Sequence, residues 1–179
     1  MIERQTERLR LLALSQDHLA LCLADPSALE RALTLPLVRS VITDVVRRAI
    51  RIKLAKMGGI PAADHPWFTY WLIVIREPEP VGAGLVGFKG SPEHTGTYDQ
   101  PGEVEIGYGI APEHQGHGYT TEAVRSMIAW AFEYPGCRAV IAPHTRKTNP
   151  ASNRILVKVG MRVYDETLGT LSWRLDRDG

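Results

Sequence analysis

Residues 103–123 read EVEIGYGIAPEHQGHGYTTEA, and this stretch carries the most specific pattern in the chain. Its first part has the length and alternation of a strand, whereas from Ala123 onward apolar residues recur at the three- and four-residue spacings of a helix. The loop between the two patterns contains Gly116 and Gly118. A strand that leads through such a loop into a helix presents backbone N–H groups and the positive end of the helix dipole. The sequence therefore predicts a phosphate-binding loop at this junction.

Two common nucleotide-binding motifs do not fit this loop. The nucleoside-triphosphate motif GxxxxGK[ST] requires a Gly-Lys-Ser or Gly-Lys-Thr triplet, which occurs nowhere in the chain. The dinucleotide motif GxGxxG requires a third glycine, but Thr121 occupies that position after Gly116 and Gly118. The sequence therefore supports neither an ATPase nor a dehydrogenase.

Strand and helix patterns continue on both sides of this stretch, and the order along the chain is β-α-α-α-β-β-β-α-β-α-β-β. This order predicts an α/β or α+β fold with a mixed sheet of about seven strands flanked by helices. No long Pro/Gly/Ser linker divides the chain, so we expect one domain over residues 1–179. Strands are predicted at residues 8–14, 67–77, 81–90, 103–111, 138–143, 161–165 and 171–175. One helix is predicted after Ser15, and others at 25–34, 41–57, over the helical pattern 123–132, and at about 150–159. Turn residues fill 91–102.

Composition excludes several classes of protein. The chain has 179 residues, 44% of them hydrophobic, which is enough for a core without disulfides. Its formal charge of +1 gives no reason to expect nucleic acid as a partner. No apolar run approaches the length of a membrane helix and the start lacks a secretory pattern, so we expect no membrane partner and a cytoplasmic location. Cys22 and Cys137 lie in apolar surroundings and are predicted to be buried thiols.

Two motifs resemble the GCN5-related N-acetyltransferase (GNAT) family. Residues 115–120, QGHGYT, are similar to its coenzyme A motif Q/R-x-x-G-x-G/A, with Thr120 in place of a small residue. Residues 149–161, NPASNRILVKVGM, are similar to its N-x-x-S-x-x-x-x-x-K-x-G-F helix, with Met161 in place of Phe. With the opening TERLRLLAL and the strand VEIGYGI, the chain most resembles the branch of ribosomal-protein N-terminal (alanine) acetyltransferases.

The resemblance implies a sheet that splays between two parallel strands and holds acetyl-coenzyme A, the acetyl donor, in the gap. The backbone of residues 105–111, including Ile110, would pair with the pantetheine amides in place of a neighbouring strand. Asn149 and Asn153 would also contact the cofactor, and Asn149 would in addition cap its helix. Tyr119 would pack either on the cofactor or in the core. The pyrophosphate would lie over the loop Gln115, Gly116, His117, Gly118, Tyr119 and Thr120.

Attack of an amine on a thioester requires a base for the amine proton and a proton donor for the leaving thiolate. Glu103 and Glu105 lie on the same face of their strand by alternation, and Glu105 is our preferred base because it is nearer the predicted gap; water is the alternative. Many family members carry a tyrosine where this chain has Leu156, whereas the resembled branch often has a serine at the position of Ser152. We therefore expect Glu105 and Ser152 to be the catalytic residues, although Ser152 is equally interpretable as a first-turn residue of its helix.

The acceptor is not specified by the sequence. Candidates are a small-molecule amine, such as a polyamine, an amino acid or an antibiotic, and a protein N-terminus, and a homodimer is possible. Trp67, Phe68, Tyr70 and Trp71 stand at the start of a predicted strand, either near the acceptor or in the core. The spacing of Glu113, His114 and His117 is too weak to predict a metal site. Two other functions remain open, a non-catalytic acyl-coenzyme A sensor and an enzyme for a longer acyl group.

Overall fold

A computed structural model describes residues 2–93 and 100–177. These residues form eight strands in one sheet, in the order β1-β2-β3-β4-β5-β6-β8-β7. Every neighbouring pair is antiparallel except β5 and β6, which are parallel. The predicted mixed sheet flanked by helices is confirmed. The strands are β1 Glu3–Gln5, β2 Leu9–Ala13, β3 Trp71–Ile75, β4 Val81–Phe88, β5 Glu103–Ile110, β6 Ala139–Arg146, β7 Arg162–Glu166 and β8 Thr170–Asp176.

The sheet has one strand more than the predicted seven, the edge strand β1. Its three residues, Glu-Arg-Gln, carry no apolar alternation, and they form a strand only because they pair with β2 at the edge of the sheet. Of the predicted turn region 91–102, residues 94–99 lie outside the described part of the chain.

Six α-helices lie around the sheet in the described residues: α1 Gln16–Ala24, α2 Pro26–Leu33, α3 Asp44–Met57, α4 His65–Phe68, α5 Tyr119–Glu133 and α6 Pro150–Lys158. The Ser15 side chain caps α1 as predicted, accepting a hydrogen bond from the His18 backbone N–H. The helix predicted to begin at Val41 begins three residues later, because residues 39–41 form a 3-10 turn and Thr43 caps α3. None of the described helices is long and apolar enough to cross a membrane.

The interpretation of residues 67–70 as the start of a strand is wrong. Trp67 and Phe68 belong to α4, and β3 begins only at Trp71. Pro66 favours this short helix because its fixed φ suits a first helical turn, and its carbonyl accepts a hydrogen bond from the Trp71 indole at 3.0 Å. Local alternation cannot reveal a one-turn helix of this kind.

The helices cover both faces of the sheet. On one face, Trp130 of α5 packs against Trp71 and Phe88, with ring centroids 5.3 and 5.9 Å apart. The opposite face turns toward α3. Strand register places Leu85 on that face together with Gly109, because paired residues in neighbouring strands share a face. Cys22 and Cys137 are buried free thiols as predicted, and burial raises the pKa of each to about 11.

The parallel strands β5 and β6 separate after a short paired stretch. Their ladder joins Glu103–Glu105 to Ala139–Ile141, whereas β5 remains paired with β4 as far as Ile110. In the described residues, the second half of β5 therefore has no ladder partner on its β6 side. The predicted splay in the sheet is present.

Candidate active site

The glycine loop, residues 115–118, is the last part of the connection from β5 to α5 and directly precedes α5. Gly116 and Gly118 have φ values of +81° and +82°, a left-handed conformation that side-chain-bearing residues rarely adopt. A Cβ at Gly116 would meet nothing within 4 Å, so the loop is open on this side. Gly118 is the N-cap of α5, and no side chain in the described part of the chain caps that helix end. Backbone N–H groups at the start of α5 are thus available to an anion.

A cavity of about 140 Å³, the loop cavity, lies between the start of α5 and one side of α6. Two cationic side chains of α6, Arg154 and Lys158, line it opposite the glycines. Thr120, the departure from the motif, is buried in the first turn of α5 and also lines the cavity. Amides, a helix N-terminus and two cations together suit a ligand with more than one phosphate.

Three predicted loop residues have further contacts. The His117 and Tyr119 rings stack with centroids 5.6 Å apart, and the Arg8 guanidinium lies 4.8 Å from the Tyr119 ring centroid. Tyr119 therefore packs within the protein, at the edge of the core. Gln115 is exposed and ends the short 3-10 turn that follows β5.

Ser152 lies beside the splay, on the first turn of α6. Its hydroxyl is 2.8 Å from the Tyr108 hydroxyl, so a hydrogen bond joins β5 to α6 next to the gap. Burial raises the pKa of Tyr108, and its hydrogen bond to Ser152 opposes this in part. Tyr108 is not among the predicted site residues, because its contact with Ser152 depends on where α6 packs against β5. Alternation places Tyr108 on the opposite face of the strand from Glu105 and Gly107.

The two predicted asparagines have different roles in the fold. Asn149 caps α6 as predicted, since its side-chain oxygen accepts a hydrogen bond from the Ser152 N–H at 3.1 Å. The Asn153 amide donates to the carbonyls of Arg146 and Asn149, both at 3.0 Å, and its oxygen accepts from the Trp173 indole at 3.1 Å. A contact between the Asn153 side chain and a cofactor would have to replace or share one of these bonds.

Glu103 and Glu105 lie on one face of β5 as predicted, and each carboxylate has a cationic partner. Glu105 is 6% exposed and forms an ion pair with Lys89, which follows β4. Glu103 forms an ion pair with Arg174 of β8 and accepts a hydrogen bond from the Gln100 N–H at 3.0 Å. Glu105 is nearer the gap, because the ladder between β5 and β6 ends beside it.

A second cavity, of about 270 Å³, lies between α3 and the sheet, and we call it the α3 cavity. Gly107 and Gly109 line it on the strand face that also carries Glu105, and a Cβ on either glycine would meet nothing within 4 Å. Ile110 lines the same cavity at the end of β5. None of the described lining residues has a charged side chain; they are Ser40, Val41, Thr43, Val45, Val46, Tyr70, Gly84, Leu85, Gly107, Tyr108, Gly109, Ile110 and Ala111.

Lys53 of α3 is a buried cation. Its ammonium group donates to the carbonyls of Phe68, Thr69 and Phe88 at 3.1, 3.2 and 2.6 Å. Burial, reinforced by the positive charges of Lys56 and Lys89, lowers the pKa of Lys53 to about 7. Among the described residues, no group of three or more His, Cys, Asp or Glu side chains is arranged to hold a metal ion.

A family model for the acetyltransferase (GNAT) domain matches residues 8–162. The chain belongs to the GNAT acetyltransferase family. This confirms the family resemblance, and it places the glycine loop, the splay and both cavities inside a domain whose family is named for acetyl transfer.

Individual relatives of this GNAT domain are distant. It is 28% identical over 90 residues to the uncharacterized N-acetyltransferase YnaD of Bacillus subtilis, and the match spans 50% of this chain and 48% of that relative. The ribosomal-protein-S5-alanine acetyltransferase of Vibrio fischeri has a similar structure, with a TM-score of 0.63, 16% identity and coverage of 99% and 98% of the two chains. The L7/L12 α-N-protein acetyltransferase RimL, solved with coenzyme A, gives a TM-score of 0.59, 17% identity and coverage of 96% and 95%. The structural neighbours thus include members of the branch that the sequence resembles.

Proposed function

We propose that this GNAT domain is an N-acetyltransferase that transfers an acetyl group from acetyl-coenzyme A to a primary amine in a ternary complex. The observation that carries the proposal is the position of the splay, which opens directly beside the glycine loop. A phosphate-binding helix N-terminus and a strand edge without a ladder partner are thereby adjacent, as a ligand with a pyrophosphate head and an amide-bearing arm requires.

The residues of the loop cavity fit the phosphates of coenzyme A. Arg154 and Lys158 supply positive charge, and the start of α5 supplies amides and the helix dipole. The backbone of β5 up to Ile110 would hydrogen-bond the pantetheine amides. RimL, solved with coenzyme A, has a similar fold and thereby supports this placement.

Glu105 is the proposed base. The amine nitrogen attacks the thioester carbonyl carbon and gives up a proton, and the carbon–sulfur bond then breaks. Glu105 shares its strand face with Gly107 and Gly109, which line the α3 cavity. Two residues along a strand span about 7 Å, so one water molecule can bridge the carboxylate and an amine held above Gly107. Lys89 keeps the carboxylate paired while it is buried.

Ser152 is the proposed hydrogen-bond partner of the leaving thiolate. The Tyr108 hydroxyl can donate to the Ser152 hydroxyl, which leaves the serine proton free to point toward the sulfur. Burial keeps Tyr108 neutral, and only a neutral phenol can donate this hydrogen bond. The thiolate takes up its proton through Ser152 or from water.

The α3 cavity is the proposed acceptor site. Aliphatic and hydroxyl side chains line it, so an amine attached to an uncharged body fits better than a polyamine with several positive charges. The N-terminal residue of a protein is such an amine. The S5-alanine acetyltransferase among the structural neighbours supports this choice of acceptor.

A sensor that binds acyl-coenzyme A without turnover is the second candidate. It is favoured by Leu156, a fully buried aliphatic side chain at the position where many family members carry a tyrosine. Such a protein would bind the donor and release no thiol with any acceptor.

Thiol release measures turnover directly. In separate reactions, purified protein is mixed with acetyl-coenzyme A or a longer acyl-coenzyme A and with one acceptor, which is a short peptide with a free N-terminus, the same peptide with a blocked N-terminus, or spermidine. Donor binding is measured alongside by calorimetric titration. The proposal expects thiol release with free N-termini alone. Release with spermidine would reject the proposed acceptor, release only with longer acyl thioesters would reject acetyl as the transferred group, and binding without release would favour the sensor.

A further inference from the structure

Arg8 joins the N-terminal segment to the glycine loop. It lies just before β2, and its guanidinium reaches α5, where Nε and Nη2 are 2.8 and 2.7 Å from a carboxylate oxygen of Glu122. Nη1 donates to the backbone carbonyl of His117 at 2.9 Å, and the guanidinium covers the Tyr119 ring. One side chain thus contacts His117 in the loop and Tyr119 and Glu122 in the first turn of α5.

The bond to the His117 carbonyl restricts the next backbone amide. A trans peptide bond is planar, so the His117 carbonyl and the Gly118 N–H point in opposite directions. A carbonyl held by Arg8 therefore directs the Gly118 N–H away from the guanidinium. Gly118 lines the loop cavity, and its left-handed φ makes this peptide easy to reorient without such a restraint.

Arg8 also compensates the negative charge of Glu122, which lies in the first turn of α5. A carboxylate in the first turn of α5 would repel the phosphates of a donor bound at that helix end. Burial acts to raise the pKa of Glu122, but hydrogen bonds from Thr6 and Arg8, with the charge of Arg8, lower it below its usual value. Glu122 is therefore ionised at neutral pH, and the guanidinium compensates its charge.

We propose that Arg8 is a positioning residue for the donor pyrophosphate, which orients the Gly118 amide and neutralises Glu122 without touching the donor itself. The inference rests on the proposed function, because it presumes that the loop binds the phosphates of coenzyme A. Through Arg8, the N-terminal segment would raise the affinity for the donor, although it lies more than 100 residues from the loop in sequence.

The chain offers a matched control for this contact. Arg4 of β1 forms an ion pair with Glu133 of α5, with nitrogen–oxygen distances of 2.8 and 3.1 Å. The pair joins the same two parts of the chain as Arg8 and Glu122 do, but at the opposite end of α5 from the glycine loop. Loss of Arg4 removes a similar tie between the N-terminal segment and the helix and leaves the loop intact.

The test compares Arg8→Gln and Arg4→Gln with the unaltered protein by calorimetric titration with coenzyme A. We expect Arg8→Gln to raise the Kd about tenfold and Arg4→Gln to leave it within twofold. Dephospho-coenzyme A, which lacks the 3′-phosphate, should show the same tenfold loss. The kcat/KM for acetyl-pantetheine, which has no pyrophosphate, should be the same in Arg8→Gln as in the unaltered protein.

Each contrary result has one meaning. If the unaltered protein does not bind coenzyme A, the proposed function fails and this inference fails with it. If it binds and Arg8→Gln binds equally tightly, only the role of Arg8 is rejected. An equal loss with acetyl-pantetheine would make Arg8 a general structural residue, and a loss that disappears with dephospho-coenzyme A would make it a direct ligand of the 3′-phosphate.

Discussion

At the scale of single residues, the proposed chemistry depends on two side chains that the fold places on opposite sides of β5. Glu105 is buried on the face toward α3 and paired with Lys89, whereas Ser152 approaches from α6 and bonds to Tyr108 on the other face. Alternation predicted the position of Glu105. It could not predict Tyr108, because that contact depends on where α6 packs rather than on the pattern of β5.

Glu105→Gln removes the proposed base and keeps the side-chain volume. We expect kcat to fall about a hundredfold with little change in the KM for acetyl-coenzyme A, because general-base catalysis contributes about that factor. Steady-state kinetics as a function of pH measure both. Glu103→Gln is the control, since Glu103 lies beside the paired part of β5, and its kcat should stay within about threefold. An unchanged kcat and pH profile in Glu105→Gln would leave water or Glu103 as the base.

Ser152→Ala removes the proposed partner of the thiolate. We expect about a tenfold lower rate of thiol release at saturating substrates, and a smaller decrease in Tyr108→Phe, because Tyr108 acts through Ser152. Tyr164→Phe on the exposed strand β7 controls for the loss of a phenol and should match the unaltered protein. A normal turnover number in Ser152→Ala would reduce Ser152 to a first-turn residue of α6.

At the scale of secondary-structure elements, the strand, loop and helix of residues 103–133 were predictable because their signals are local. Apolar periodicity marks β5 and α5, and two glycines mark a backbone that needs positive φ. The helix predicted for residues 150–159 ends one residue earlier, at Lys158. The one-turn helix α4 and the short strand β1 were missed because each is defined by tertiary contacts, the Trp71–Pro66 bond in one case and pairing with β2 in the other.

Gly118→Val places a β-branched side chain in a left-handed conformation and beside Arg8, whose guanidinium would lie 3.4 Å from the new Cβ. We expect the Kd for coenzyme A to rise more than about tenfold, since the loop must change its conformation. Gly169→Val is the control, because a Cβ there meets nothing within 4 Å and its φ is not positive. The glycine loop would be excluded as the phosphate site if Gly118→Val bound coenzyme A normally.

At the scale of the whole molecule, the ion pairs around the site and the splay bring together residues that are far apart in sequence. The Arg8–Glu122 and Glu103–Arg174 pairs span 114 and 71 residues. Neither pair is visible in local patterns, and the splay itself was expected only from the family resemblance. The order of the strands fixes which residues meet, and single-sequence periodicity carries no register.

Lys53 links α3, the end of α4 and β4 through three carbonyls, and it makes stability depend on pH. Its folded pKa of about 7 lies below the ordinary value of 10.5, so the unfolded chain binds more protons between these values. The contribution of Lys53 to the free energy of unfolding therefore rises with pH between these two pKa values. The free energy of unfolding of the unaltered protein minus that of Lys53→Met should increase from pH 7.5 to 9.5, by at most about 1.4 kcal/mol per pH unit.

Denaturant unfolding at several pH values measures this difference. Lys147→Met is the control, because Lys147 is an exposed lysine just after β6 that pairs with Glu166 rather than with the groups around Lys53. The pH dependence assigned to Lys53 is the change that Lys53→Met shows beyond this control. A difference for Lys53→Met that stays flat or falls as pH rises would contradict a lowered pKa for Lys53 in the folded protein.

Calorimetric titration of the unaltered protein with acetyl-coenzyme A measures whether the glycine loop and the adjoining splay bind this donor. We predict one site per chain with a Kd in the micromolar range, about −8 kcal/mol. No heat of binding at millimolar donor would contradict it, and would leave the GNAT domain of this chain as a scaffold for another function.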